Sequence, residues 1–190
     1  MPKQEYLEEE FKGEVFEGKL IGKVIYEDCT FKNCQFVGIT FQETIFRECV
    51  FQDCIWSLIK LNSTRMQGVE FIDSKIMGTS FSGIHNLSPE IRFKGSKLEL
   101  CQFEALELND FQLTESVVTE CMFYHCILKE ADFSKTQFHA VQFESNNLSK
   151  ADFRQATGYD FDPWDNRVKG AKFSTPEVLG LLQSLQINIE

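Results

Sequence analysis

The sequence predicts an all-β fold, a parallel β-helix with four sides, and three observations carry this prediction. Large apolar residues recur at every fifth position in two blocks, from Tyr26 to Phe81 and from Phe93 to Phe153. The residues two positions earlier form a second series, from Val24 to Ala151, and most of its members are small. No member of either series is charged, although 25% of the chain's residues carry charge.

A period of five fits neither the α-helical turn nor the alternation of an ordinary strand. It fits a chain that turns a corner every five residues and keeps two residues of each side facing a common axis. Four sides make a coil of about 20 residues, and successive coils stack as parallel strands about 4.8 Å apart. We expect the larger residue of each five to fill the axis. The residue two before it must be small, because it lies near a corner.

The first coil keeps the five-residue step at Phe11, Phe16 and Ile21, but charged residues replace the small ones two positions before. A first coil has only one neighbour, so a degenerate, charged version of the repeat is expected as an end cap. It also protects an edge that could otherwise pair with another chain.

The repeat is interrupted once, at residues 82–92. Between Phe81 and Phe93 lie two residues more than two repeats need, and Gly83, Asn86 and Pro89 in this stretch favour turns. One interpretation is a register slip that joins two rods with a small kink. The other is a protrusion used for recognition.

After Phe153 the repeat weakens and then gives way to a helix. Tyr159 and Trp164 fall at outward positions in the last coil. Ser174 and Glu177 have the spacing of a helix capping box, and apolar residues follow at helical spacing. We therefore assign residues 1–173 to the β-helix and residues 174–190 to a short C-terminal α-helix and tail, which covers the end of the core.

The seven cysteines all occupy the small inward position, so we assign them to packing. Their spacing matches no zinc motif, no catalytic motif occurs, and we expect neither a cofactor nor a metal nor an enzyme. The net charge of −10 argues against a nucleic-acid binder. No apolar run is long enough to span a membrane, and the first residues lack the layout of a secretory signal, so we expect a cytoplasmic protein.

Acidic residues are concentrated between residues 101 and 153, where they outnumber lysines three to one. All of them fall at outward positions of the repeat. A solvated surface needs charge, so solubility alone is one explanation. The acidic residues of this stretch are Glu104, Glu107, Asp110, Glu115, Glu120, Glu130, Asp132, Glu144 and Asp152.

Two stretches carry a family resemblance. Residues 131–135, Ala-Asp-Phe-Ser-Lys, and residues 151–155, Ala-Asp-Phe-Arg-Gln, resemble the A-(D/N)-(L/F)-x-x unit of pentapeptide repeat proteins. The resemblance extends over roughly residues 11–173 and implies a right-handed quadrilateral parallel β-helix. The segment from Asn166 to Ile189 is similar to the end of the albicidin-resistance type, within the branch that protects bacterial topoisomerases.

That branch implies a rod-shaped homodimer, joined through C-terminal helices, whose negative surface imitates duplex DNA. Its partner would be DNA gyrase or topoisomerase IV, protected from inhibitors such as quinolones or albicidin. The acidic residues of 101–153 are then the expected partner contacts. The alternative is a scaffold that binds another protein and has no topoisomerase role. The residues expected at the dimer interface are Trp164, Phe173, Leu179, Leu182 and Leu185.

Overall fold

The fold is an all-β parallel solenoid of about eight coils. The computed structural model describes residues 4–85 and 88–185 of the chain. Each strand pairs in parallel with the strand one coil later, so that Phe31 lies opposite Phe51 and Phe16 opposite Phe36. The offset of 20 residues between partners confirms the coil length expected from the sequence.

The strands line up in four faces, numbered in the order in which the chain visits them. Most strands have three residues, because the chain must turn a corner after every fifth. The first face holds Gln4–Leu7, Val24–Glu27, Ile45–Arg47 and Arg65–Gln67. The second face holds Glu10–Lys12, Thr30–Lys32, Val50–Gln52, Val69–Ile72, Ile91–Lys94, Gln112–Thr114, Asp152–Phe153 and Lys172–Phe173.

The third and fourth faces complete each coil. The third face holds Val15–Glu17, Gln35–Val37, Ile55–Ser57, Lys75–Met77, Lys97–Glu99, Val117–Thr119 and Gln137–His139. The fourth face holds Leu20–Gly22, Thr40–Gln42, Lys60–Asn62, Gln102–Glu104, Met122–Tyr124 and Gln142–Glu144. A 3-10 helix, Phe81–Gly83, replaces one strand of the fourth face, and a second, Glu177–Leu185, closes the described chain.

The lumen is filled by stacked aromatic rings. On the second face the rings of Phe11, Phe31 and Phe51 stack at centroid distances of 4.7 Å, with planes nearly parallel. Phe36 and Phe133, predicted to face the axis, are fully buried. Burying a side chain of this size contributes about 1.5–3 kcal/mol, so the repeated aromatic position is the main source of stability.

The small inward position has a second requirement that the sequence pattern did not reveal. The backbone N–H of Cys54 donates to Ser74 Oγ on the next coil at 2.9 Å, and that of Cys126 donates to Asn146 Oδ1 at 2.8 Å. The Cys54 thiol in turn donates to the Phe31 carbonyl at 3.3 Å. These side chains satisfy buried backbone groups at the corners. This explains why serine, threonine, cysteine and asparagine share this position with small apolar residues.

The two extra residues are absorbed at one corner. Thr64 pairs with Ile84 at the ordinary offset of 20, whereas Val69 pairs with Ile91 at an offset of 22. The surplus therefore lies within residues 85–90, of which 86 and 87 fall outside the described residues. Strand pairing on the second face continues across this point without a break, so both halves belong to one solenoid.

The closing helix is a 3-10 helix, so the prediction of an α-helix was wrong in type. Ser174 Oγ accepts a hydrogen bond from the Gln155 backbone N–H at 3.0 Å, which ties this hydroxyl to the last coil instead of the helix start. The Leu179 N–H then bonds the Pro176 carbonyl three residues back. Leu181 is buried against the core, as the capping role requires. The predicted tail, residues 186–190, lies outside the described residues.

Tyr159 was predicted to point outward, and this was wrong. Its side chain is buried and its ring lies 5.4 Å from Phe153 and 5.7 Å from Phe173. The reason is Gly158, which occupies the lumen position without a side chain. A Cβ there would come within 2.1 Å of the Phe138 carbonyl oxygen. Tyr159 fills the space that this glycine leaves.

Candidate partner-binding surface

The corners of the solenoid hold the backbone of acidic residues in one conformation. At most corners the residue two after the lumen residue has a positive φ, as at Asp110 (55°) and Glu130 (61°). Its backbone N–H donates to a carbonyl of the next coil, at 3.1 Å for Asp110 and 2.9 Å for Glu130. Non-glycine residues adopt this conformation only where the surroundings impose it. A carboxylate at a corner therefore projects from a rigid backbone into solvent.

These corner acids are unevenly distributed among the four corners, which we number by the face that precedes them. The two corners that border the second face carry most of them, and we call this face the acid-bordered face. Among the described acids with positive φ, the third and fourth corners carry one each, Glu120 and Glu43. The first corner carries Glu8, Asp28, Glu48, Asp110 and Glu130, and the second carries Asp53, Asp73 and Glu115.

The nine acids predicted as partner contacts do not form a single surface. Four of them, Asp110, Glu130, Asp132 and Asp152, line one shallow groove at the first corner and on the acid-bordered face, together with Lys150 and Lys172. The other five are spread around the rod. Glu115 lies at the second corner and Glu120 at the third, Glu104 and Glu144 lie on the fourth face, and Glu107 lies on the first.

Ion pairs neutralise part of the groove. Lys150 Nζ donates to Glu130 Oε1 at 2.9 Å, which lowers the pKa of Glu130. The hydrogen bond from Arg154 to Asp152 at 2.6 Å lowers the pKa of Asp152 despite partial burial. The Lys150–Glu130 pair is exposed and contributes little to stability, whereas the Asp152 side chain is only 15% exposed. Both pairs keep the carboxylates ionised while cancelling part of their field.

The acids of the first half were missed by the analysis of residues 101–153 alone. Asp28, Glu48, Asp53 and Asp73 continue the first and second corners towards the N-terminus. The signal that could have found them was present, because each lies two residues after a lumen residue, as Asp110 does. Grouping the acids by corner rather than by stretch of sequence brings them together.

The residues predicted at a dimer interface have different surroundings. Trp164 is 82% exposed and Leu179 is 43% exposed, whereas Leu182 is half-buried. Phe173 stacks on Phe153 at 5.3 Å and so belongs to the core of its own chain. The side chain of Leu185 lies outside the described residues. Trp164 and Leu179 are therefore the two members of this set with clearly exposed apolar surface.

The cysteines are packed inside, and burial raises the pKa of the Cys49 and Cys54 thiols to about 12. Within residues 4–85 and 88–185, no group of three or more histidine, cysteine or acidic side chains is arranged to hold a metal ion. No helix in the described part of the chain is long and apolar enough to cross a membrane.

Comparison with known proteins identifies the repeat. Residues 24–103 match the family model described as a pentapeptide repeat region. No curated protein sequence matches the chain.

Among solved structures, a trypsin-treated variant of QnrB1, described as a plasmid-mediated fluoroquinolone resistance protein, matches with a TM-score of 0.75. It is 18% identical and covers 100% of both chains. A second trypsin-treated variant of QnrB1 has a TM-score of 0.66 at 19% identity, over 98% of this chain and 100% of its own. At these identities the likeness shows a shared fold. The chain is therefore similar to pentapeptide repeat proteins over residues 24–103, and the solenoid continues on both sides of that region.

Proposed function

We propose that this protein imitates duplex DNA, binds a type II topoisomerase such as DNA gyrase or topoisomerase IV, and protects that enzyme from inhibitors such as quinolones or albicidin. The observation that carries the proposal is the acid-bordered face, a face of parallel strands with five corner carboxylates along one edge and three along the other, interrupted by Lys150 and Lys135. Duplex DNA likewise presents two rows of negative charge along the sides of a groove.

The rigidity of the corners favours this role. Successive corner acids such as Asp28 and Glu48 are one coil apart, about 4.8 Å along the rod, and their backbone N–H groups are bonded to the next coil at 3.0 Å and 2.8 Å. The backbone beneath these charges needs no ordering when a basic groove closes on them, so less entropy is lost on binding. Complementary charge also accelerates association, and the affinity should fall as salt rises.

The comparisons add support of a different kind. QnrB1 is a plasmid-mediated fluoroquinolone resistance protein, and the present chain has its fold over the full length of both. The acid-bordered face supplies the chemistry that such a function would require of this chain.

The experiment that tests the proposal compares two matched pairs of charge reversals. Asp28→Lys with Asp110→Lys changes the first corner, whereas Glu43→Lys with Glu120→Lys makes the same charge change at the fourth and third corners. All four residues have positive φ, so both pairs replace corner residues of the same backbone type. Binding to gyrase is measured by surface plasmon resonance at several salt concentrations, and protection by supercoiling assays with and without a quinolone or albicidin.

We expect the first pair to lose at least tenfold in affinity and to abolish protection, and the control pair to keep most of both. Wild-type protein without affinity for gyrase or topoisomerase IV would refute the proposal. Equal losses in the two pairs would show that net charge, and not the acid-bordered face, is recognised.

The proposal includes a homodimer joined at the C-terminal end. Trp164 and Leu179, which are both exposed and both in the last part of the chain, support it, because large exposed apolar side chains are enriched at interfaces. Light scattering with gel filtration should give twice the chain mass of 22.0 kDa. Trp164→Ala with Leu179→Ser should give the monomer mass. A wild-type monomer at micromolar concentration would contradict this part of the proposal.

One observation favours the alternative, a scaffold for a different protein. The third corner carries Leu58 and Leu100 with positive φ, and these side chains are 61% and 51% exposed. An apolar edge of this kind fits a partner other than a DNA-binding groove. Leu58→Ser with Leu100→Ser distinguishes the two functions, because it should leave gyrase binding unchanged if the acid-bordered face is the contact.

A further inference from the structure

A cleft lies at the fourth corner, apart from the acid-bordered face. It has a volume of about 580 Å³ and is bounded by the 3-10 turn on one side and by the next two coils on the other. Its floor is apolar, formed by Ile84, Leu106 and Ile127. Its remaining lining residues are Ser82, Ala105, Glu104, Glu107 and His125.

The cleft results from the way the chain makes its register slip. Gly83 is so close to the neighbouring coil that a Cβ would lie 1.7 Å from the Leu61 carbonyl oxygen, which draws this corner inward. The pairing offset changes from 20 to 22 residues immediately afterwards, between Ile84 and Ile91. The corner below is occupied by Ala105, whose methyl group projects little. A recess therefore replaces the ridge that long side chains form at other corners.

The walls of the cleft are held by backbone hydrogen bonds. The Ala105 N–H donates to the Tyr124 carbonyl at 3.0 Å, and the Ile127 N–H donates to the Leu106 carbonyl at 2.9 Å. Ser88 Oγ adds a longer contact, 3.4 Å, to the Glu107 carbonyl. The cleft is thus formed in advance, as is usual for sites that take small ligands or single side chains.

The two carboxylates of the cleft differ from two of the four carboxylates in the groove at the first corner. Glu130 and Asp152 have lysine or arginine partners. Neither Glu104 nor Glu107 forms an ion pair within residues 4–85 and 88–185. Two unpaired carboxylates beside an apolar floor lack a cation, and a cation with an apolar body would satisfy both features.

The geometry points to a binding site for an organic cation on an apolar stem. The stem packs on Ile84, Leu106 and Ile127, and the ammonium or guanidinium group is held between Glu104 and Glu107. His125, whose ring lies 4.0 Å from that of Tyr124, supplies a flat wall on one side. Such a group belongs either to a free amine or to a lysine or arginine side chain of a protein partner. The inference stands independently of the topoisomerase proposal.

The test is an NMR titration of the full ¹⁵N-labelled chain with three probes. The first is 2-phenylethylammonium, the second is the dipeptide N-acetyl-leucyl-arginine amide, and the third is 2-phenylethanol, the neutral analogue of the first. We expect saturable shifts centred on the amides of Ala105, Leu106, His125 and Ile127. For an open cleft with exposed charges a dissociation constant on the order of 1 mM is expected. The alcohol should bind at least tenfold more weakly than the amine.

Variants separate this site from general attraction to an acidic protein. Glu104→Gln with Glu107→Gln should weaken both cationic probes at least tenfold, whereas Glu43→Gln with Glu120→Gln, which removes the same charge elsewhere, should change them less than twofold. Ile127→Ser should weaken 2-phenylethylammonium severalfold while leaving the charges intact. If the dipeptide binds more tightly than the amine, the occupant is a protein side chain, and the reverse order assigns a free amine.

Three results would overturn the inference. The alcohol could bind as well as the amine, the shifts could spread along the acidic corners instead of centring on the cleft, or the Glu104 and Glu107 variant could bind like the wild type. Each would show that the cleft does not select a cation.

Discussion

Asn146 offers a direct test of how the solenoid satisfies its corners. This buried side chain accepts a hydrogen bond from the Cys126 N–H at 2.8 Å and donates to the Phe123 carbonyl at 2.8 Å. It also donates to Asn166 Oδ1 at 3.1 Å. It therefore links three successive coils, and Asn166 repeats the pattern one coil later, where it accepts from the Asn146 N–H at 3.0 Å and donates to the Phe143 carbonyl at 2.8 Å.

Asn146→Ala should destabilise the protein by about 2–4 kcal/mol, of which leaving the buried Cys126 N–H without a partner supplies about 1–3 kcal/mol and the lost bond to Asn166 about 1 kcal/mol. Asn146→Ser should recover most of this loss, since Ser74 and Ser96 accept the corresponding N–H groups of Cys54 and Ser74 at 2.9 Å and 3.1 Å. Asn146→Val fills the space without a hydrogen bond and should resemble alanine.

The measurement is urea denaturation followed by far-UV circular dichroism, together with amide hydrogen exchange at Cys126. The reasoning predicts that serine is more stable than both valine and alanine, and that Cys126 exchanges fastest in the alanine variant. An alanine variant within 0.5 kcal/mol of wild type, a limit set by ordinary surface substitutions of about that size, would refute it. So would a valine variant as stable as the serine one, because packing would then explain the site.

Three further predictions concern other parts of the rod. Gly83→Ala should lower the melting temperature far more than Gly22→Ala, because the added Cβ would lie 1.7 Å from a backbone oxygen at position 83 but no closer than 3.5 Å at position 22; equal melting temperatures would contradict the close approach. All seven cysteines should resist iodoacetamide in the native protein and react after unfolding, since they are buried and burial raises the pKa of Cys49 to about 12. Mass spectrometry counts the adducts. Rapid labelling of the native protein would be inconsistent with the packed lumen. Lys150→Met should raise the pKa of Glu130 towards its ordinary value in a ¹³C NMR titration, because the lysine lowers it in the wild type. Because the pKa of Glu130 is lower in the folded than in the unfolded protein, the small stabilisation from this pair is present at neutral pH and is lost as the pH falls through the folded-state pKa. An unchanged titration curve would show that the pair does not form in solution.

The architecture was predictable because the residues that face the lumen recur at every fifth position of the sequence. Phe36, Phe51 and Phe133 lie where the five-residue step places them, and the coil length follows from four sides of five residues. The C-terminal end was harder. Tyr159 turned inward because Gly158 leaves the lumen empty, and the Ser174 hydroxyl bonds Gln155 instead of capping an α-helix. Both outcomes depend on contacts with the coil before, which the local sequence does not contain.

The candidate surface was predicted only in part, for a geometrical reason. A list of acids along the chain places Glu115 next to Glu120, yet they lie at different corners, the second and the third. Conversely, Asp28 and Asp110 are far apart in sequence and share one corner. Acids whose residue numbers differ by a multiple of 20 lie at the same corner. Across the slip at 85–90, the difference must be increased by two. The corner at which each acid lies could be predicted from the sequence. The pairing of Glu130 with Lys150 and the cleft beside Ala105 could not, because they depend on side-chain positions in neighbouring coils.

The register change at residues 85–90 has a consequence for how such a chain tolerates length variation. Because each coil contacts only the coils directly above and below it, two additional residues at a corner leave every later side chain on the side of the rod it already occupied. A single residue lost inside a strand has the opposite effect. Every later residue would then move by one position within the five-residue repeat. Carboxylates such as that of Asp132 would turn towards the aromatic stack. Insertions are therefore tolerated at the corners of the solenoid and excluded from its strands. A new binding feature can be added at a corner without rebuilding the rod.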